Sequence, residues 1–168
     1  MQNTANHRPR IVVGVDGSRP ADAALAWAIG MARTMNAEIV AVHAIDTPFL
    51  AYYGYAGVPP VQYDPAWRAQ IAREFTEDWC APLKHAGLRY RTVLEEGRAA
   101  SVIAAVADRY DADLVVTGRH GRGGVAEFVL GSTSHELSLH CKRPVVLIHQ
   151  PWSKIEPTPE PALAGGTI

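Results

Sequence analysis

The chain has 168 residues, a length suited to one domain with a sizeable core. With 16 Lys and Arg against 17 Asp and Glu, the formal net charge is −1, so no global field draws the protein to nucleic acid or to acidic membranes. No window reaches the ~20 apolar residues that span a bilayer, and the polar opening MQNTANHRPR lacks an apolar secretory core, so a cytoplasmic protein is expected. Cys80 and Cys141 stand far apart with neither C-x-x-C nor zinc-ligand spacing, which suits a reducing compartment and packed rather than reactive thiols.

Residues 1–9 read as a flexible lead-in to a single domain over 10–150. The run RIVVGVD over 10–16 is continuously apolar, as expected of a strand buried on both faces. It stops at Asp16-Gly17-Ser18, where Ser18 is a helix cap and Pro20 is tolerated in the first turn. Ala21, Ala24, Leu25, Ala28, Ile29, Ala32 and Met35 then recur at helical spacing. EIVAVHAI over 38–45 is the second strand. The segment 46–64 is too long and too rich in Pro, Gly and Tyr for a plain connector, and reads as a surface flap. Its Tyr52, Tyr53 and Tyr55 either close over a ligand or partner or pack on the domain itself.

Pro65 opens a long helix to about residue 86, with Trp67, Ile71, Phe75, Trp79 and Leu83 at intervals of four as a core stripe; Gly87 ends it. Alternation over 88–95 predicts a strand near the sheet edge. A helix over 99–109, a strand over 114–117, a short helix from Ser132 to about His140 and a last strand over 144–149 follow. The proline, glycine and charge of 151–168 are those of a disordered tail. Strands alternating with helices imply a parallel sheet covered on both faces by right-handed crossovers.

The loop after the fourth strand carries Gly118, Gly121, Gly123, Gly124 and Gly131. Glycines that take positive φ let the backbone curve into a concave arc, and such an arc running into a helix N-terminus favours anions. Ser132, Thr133 and Ser134 add hydroxyls there, and Arg119 and Arg122 add forked cationic donors. In parallel sheets, ligands bind beyond the strand ends where the strand order reverses, so Asp16 and Gly118 are expected to meet at one site. Asp16 either shapes its turn or touches the ligand, and ligand contact is favoured. His43, inside an apolar strand, reads as a satisfied core histidine or as support for a ligand contact. His120 reads as a loop residue beside the ligand rather than a proton carrier. His135 and His140 are five apart, which makes no metal pair on one helical face.

The spacing G-x2-G-x9-G-S from Gly118 through Gly121 to Gly131 and Ser132 resembles the nucleotide motif of the universal stress protein family. So do IVVGVDGS over 11–18, AVHAID over 41–46, DADLVVTGRHGRGG over 111–124, GSTS over 131–134 and KRPVVLI over 142–148. The resemblance spans residues 10–149 and implies an α/β three-layer sandwich, Rossmann-like and akin to the adenine nucleotide alpha-hydrolase fold. Its five-stranded parallel sheet is in the order 3-2-1-4-5. It implies an ATP-binding branch in which Gly14, Val15 and Asp16 contact the nucleotide, Asp16 near the ribose and as a candidate contact for nucleotide-bound Mg2+. By the same resemblance Ala44 meets the adenine edge, Thr117, Gly118 and His120 to Arg122 (with Gly121) form the ribose and phosphate loop, and Gly131, Ser132, Thr133 and Ser134 hold the phosphates. Arg119 stands where many relatives carry a small residue, so it either adds a phosphate contact or faces solvent. A homodimer through the last strand and an unknown regulatory partner are also implied.

The function expected is an ATP-binding regulatory module of the stress response. No Walker A lysine and no obvious pair of magnesium-holding carboxylates occur, so any hydrolysis should be slow. The alternatives are a weak ATPase or nucleotidyl-transferring enzyme using Asp16 and Arg122, and a cyclic AMP binder on the same scaffold. The dinucleotide reading is disfavoured because the first turn lacks G-x-G-x-x-G.

Overall fold

Uninterrupted runs of Ile, Val and Ala make the central strands, because a parallel strand covered by helices on both sides has no solvent face. The computed structural model describes residues 8–46, 64–120 and 130–149. Strand β1 (Arg10–Gly14) leads to helix α1 (Arg19–Met35), and strand β2 (Glu38–Ile45) follows. Helix α2 (Pro65–Arg73), a π-helical turn (Glu74–Trp79) and helix α3 (Ala81–Ala86) precede β3 (Tyr90–Glu96). Helix α4 (Ala99–Arg109), β4 (Leu114–Gly118), α5 (Ser132–His140) and β5 (Val145–Ile148) complete the order. The lead-in 1–7, most of the expected flap with its three tyrosines, the loop 121–129 and the tail lie outside the described residues.

The strands form one sheet in the order β3-β2-β1-β4-β5, and every adjacent pair is parallel. Alternate residues of each strand feed two cores. Ile11, Val13 and Ile39 pack with Leu25, Ala28, Phe75 and Leu83 from α1 to α3 on one face. Val12, Val40 and Val115 pack with Ile103, Val106 and Leu137 from α4 and α5 on the other. The three-layer α/β sandwich and its strand order are therefore as expected, and β3 stands at a sheet edge as its alternation suggested.

Helix α1 is bounded by the signals in the sequence. The Ser18 hydroxyl accepts from the Ala21 N–H, Pro20 sits in the first turn, and Asn36 ends the helix in the left-handed region. Met35, the last of the periodic apolar positions, is more than a third exposed because it stands at the helix end.

The stripe at intervals of four does not form a continuous α-helix. At 3.6 residues per turn, positions four apart drift around the helix axis. The π-helical turn adds a residue to the hydrogen-bonded ring, with the Cys80 N–H donating to Phe75 O at 3.1 Å, and so restores the register. Thr76 assists by donating its hydroxyl to Ala72 O at 2.8 Å. Phe75 and Leu83 are thereby buried, whereas Trp67, at the far end of the stripe, is 39% exposed. Cys80 is fully buried, and burial pushes its thiol up to about 11, against a smaller opposing pull from Lys84. Such a thiol stays protonated and unreactive near neutral pH.

Candidate functional site

At the carboxyl end of the sheet, β1 gives way to a tight turn. The Val15 N–H donates to Val42 O at 2.8 Å, Gly17 takes φ +73°, and the Ser18 N–H donates to Asp16 Oδ1 at 3.0 Å. Asp16 thus shapes the turn, the role the sequence ranked second, while also lining the pocket described below. Burial first, and then the nearby Asp16 carboxylate, raise the Asp22 carboxyl above the usual range.

Two glycines of the motif are required for reasons other than positive φ. Among the described residues the positive-φ glycines are Gly17, Gly87 and Gly97, and Gly131 has φ −60°. A Cβ on Gly118 would stand 2.7 Å from the backbone of Pro20, so glycine there lets the first turn of α1 lie against β4. A Cβ on Gly131 would meet Arg119 O at 3.0 Å, where the Gly131 N–H itself donates at 3.0 Å. These contacts bring the start of α5 beside the ends of β1 and β4. The expected curvature through Gly121, Gly123 and Gly124, with Arg122, falls outside the described residues.

Gly131 caps α5 without a side chain, and an α-helix leaves its first N–H groups with no intrahelical acceptor. The hydroxyls beyond it divide. Ser134 is 2% exposed and donates to Gly118 O at 2.8 Å, tying α5 to β4, whereas Ser132 is exposed. Ser134→Ala is therefore expected to cost about 1–2 kcal/mol of stability by leaving the Gly118 carbonyl short of a donor. Ser132→Ala should stay within about 0.5 kcal/mol. Urea denaturation of both variants checks the difference.

Between these elements lies a pocket of about 240 Å3. Of the residues singled out from the sequence, Gly14, Val15, Asp16, Ala44, Thr117, Gly118, His120, Gly131, Ser132, Thr133 and Ser134 line it. Arg119 does not; its backbone extends the β4–β5 ladder, donating to Ile148 O at 2.8 Å. Ala21, Val42, His43, Ala99 and Ile103 complete the lining; none was singled out as a ligand contact, although His43 had been read as a core histidine or as support for one. Ile103 reaches the pocket because Gly14 lacks a side chain, since a Cβ there would be 2.9 Å from Ile103 Cδ1.

His43 is held on two sides. Its Nδ1 is 2.8 Å from Val15 O, and its ring meets Trp79 edge-on at 4.9 Å and Phe75 at 5.8 Å. The π-helical turn thereby supports the backbone that carries Asp16. His120 differs, for both of its ring nitrogens are buried with no hydrogen-bond partner among the described residues.

Among the described residues no group of three or more His, Cys, Asp or Glu could hold a metal ion. The Asp16 carboxylate, lining the same pocket as the start of α5, still fits Mg2+ brought in with a phosphate ligand, because that ion keeps several waters and takes one or two protein oxygens. No helix among the described residues is long and apolar enough to cross a membrane.

Comparison with known proteins places the chain among relatives of one family. A universal stress protein of Methanocaldococcus jannaschii is 27% identical over 90% of this chain and 88% of its own length. One from Mycobacterium tuberculosis is 31% identical over 97% of this chain but 55% of its own, so the chain spans about half of that relative. Among solved structures, a universal stress protein in complex with cAMP shares 26% identity and superposes with a TM-score of 0.59, covering 86% of this chain and 98% of that one. One from Archaeoglobus fulgidus shares 22% identity over 85% of this chain and 99% of its own, with a TM-score of 0.64, and so speaks for the fold. The model described as the Universal stress protein family matches residues 7–149, and the chain belongs to that family.

Proposed function

We propose that the protein binds an adenine nucleotide, ATP with Mg2+, and acts in the cytoplasm as a nucleotide-dependent regulatory module of the stress response with little or slow hydrolysis. The observation that carries this reading is the pocket where the ends of β1 and β4 meet the start of α5. Phosphates seat against the N–H groups of Ser132 and Thr133, where the helix dipole favours negative charge. Ribose lies by Asp16 and Thr117, and the base beside Ala44 and Val15. The phosphate roles that the motif gives Gly121 and Arg122 fall outside the described residues, and Arg119 does not line the pocket. Because Asp16 is negative, a divalent ion between it and the phosphates removes their repulsion, which supports Mg2+ as companion of the ligand.

Cyclic AMP is the second reading, favoured by the related structure solved with it. A homodimer formed through β5 covers the edge that Val145, Val146 and Leu147 leave half-buried. A regulatory protein partner reads the occupied state, and neither nucleic acid nor membrane is involved.

Mass spectrometry of nucleotide released on denaturing the purified protein, followed by calorimetric titration with ATP and cyclic AMP, tests the reading. ATP is expected in the supernatant and as the tighter ligand. Tighter binding of cyclic AMP would favour the second reading, and binding of neither would overturn both.

A further inference from the structure

Strand β3 stands at the edge of the sheet, paired with β2 alone. The Ile39 N–H donates to Arg89 O and the Gly97 N–H to Ile45 O, so the odd-numbered residues of this stretch turn their backbone groups towards β2. Successive residues of a parallel strand bond to opposite sides. Tyr90, Thr92, Leu94 and Glu96 therefore turn their N–H and C=O groups outward, where no described residue meets them. Such a row is a template for another strand.

The amino end of that edge is basic. Arg8, Arg89 and Arg91 line an open groove with Glu38, Leu88 and Tyr90, at the end of the sheet away from the pocket. Arg91 stands beside Val40 in the register, so Glu38, Arg89 and Arg91 share one face of the sheet. The single glutamate is already divided, with Arg91 Nε 2.7 Å from Oε1 and Arg10 Nε 3.8 Å from Oε2. The side chains of Arg8 and Arg89 have no partner among the described residues, and that of Arg91 is 61% exposed. On a chain with a net charge of −1, this is a local surplus of positive charge.

The open edge and the spare guanidinium groups fit one kind of occupant. A strand laid along β3 satisfies the outward backbone groups, and carboxylates on the side facing Arg89 and Arg91 make charge-assisted, forked bonds. Its alternate residues fall on the other face, beside Tyr90 and Leu94, which pack against the core under α1 to α3, so they are apolar. The acids belong at the amino end of β3, because Glu95 and Glu96 make its other end negative.

We propose that β3 docks an extended acidic segment of a partner protein by strand addition, with the segment's carboxylates on Arg8, Arg89 and Arg91. This goes beyond the nucleotide reading and does not rest on it, since groove and pocket share no lining residue.

The test is titration of the isotope-labelled full chain, without nucleotide, with a capped peptide of alternating glutamate and valine, read by amide NMR and fluorescence anisotropy. The amide signals of Tyr90, Thr92 and Leu94 are expected to shift. The matching glutamine–valine peptide, and the Arg8→Gln, Arg89→Gln double variant with the original peptide, should each bind at least about tenfold more weakly. The glutamate peptide N-methylated at alternate residues, which cannot complete the ladder and leaves the protein untouched, should not bind. No shift along β3, equal affinity for the glutamine peptide or retained binding of the methylated one would overturn the proposal. So would a single-stranded oligothymidylate that displaces the peptide and binds more tightly at the same arginines.

Discussion

Gly118→Ala is expected to destabilise the fold by about 3 kcal/mol and to abolish binding at the pocket, the larger effect for one added methyl group. The new Cβ would stand 2.7 Å from the Cβ, carbonyl carbon and carbonyl oxygen of Pro20, well inside the about 3.5–4.0 Å optimum for carbon contacts. None of these atoms is the free end of a flexible side chain. The first turn of α1 would have to lift from β4, carrying with it the turn that Asp16 and Ser18 shape. Overpacking of this kind costs about 1–3 kcal/mol, and a backbone obstacle argues for the upper end. Gly30→Ala is the matched control, since a Cβ there meets nothing within 4 Å and the helix gains about 0.5–1 kcal/mol from the loss of glycine. Denaturation midpoints of the two variants that move together would contradict the steric account.

Phe75→Ala is expected to cost about 3–5 kcal/mol, a large share of the roughly 5–15 kcal/mol that holds a domain folded. Phe75 is 1% exposed, and its ring lies 6.2 Å from Trp79 and 5.8 Å from His43. Its loss opens a cavity under the π-helical turn and slackens the support of His43, hence of Val15 O. Nucleotide affinity should fall as well, although Phe75 does not line the pocket. Trp67→Ala, on the same sequence stripe but 39% exposed, should cost less than about 1 kcal/mol. Equal losses for the two would mean that the π-helical turn does not set the register of this helix pair.

Much of the fold was legible because its signals are local. The runs at Ile11 to Val13 and Leu114 to Val116, the Ser18 cap and Gly87 each act within a few residues, and each stands where the pattern put it. Edge or centre could be told for β3 from its alternation, since only a strand with a wet side needs polar partners for its apolar residues. The π-helical turn was not legible, because residues at intervals of four fit an α-helical stripe over one or two turns, and the drift shows only when Phe75 and Leu83 must both reach the core while Trp67 does not.

The site was legible where it depends on chain order and opaque where it depends on contact. Asp16, Gly118 and the 131–134 segment converge as parallel topology requires. The reason for Gly118 was missed, since no local rule shows that Pro20 will lie against it. Ser134 was read as a ligand contact because its hydroxyl sits at a helix start, yet the Gly118 carbonyl sixteen residues earlier accepts that hydroxyl's proton. Ile103 and His43 carried the signals of packing, the one from helical spacing and the other from an apolar strand, and both do pack while also lining the pocket.

The most direct measurement is a crystal structure of the protein grown with ATP and Mg2+. Phosphate oxygens are expected within hydrogen-bond distance of the Ser132 and Thr133 N–H groups, with the adenosine held between the ends of β1 and β4. Electron density showing the pocket closed by the protein's own side chains at saturating nucleotide, or ATP bound elsewhere, would contradict the assignment of this pocket as a nucleotide site.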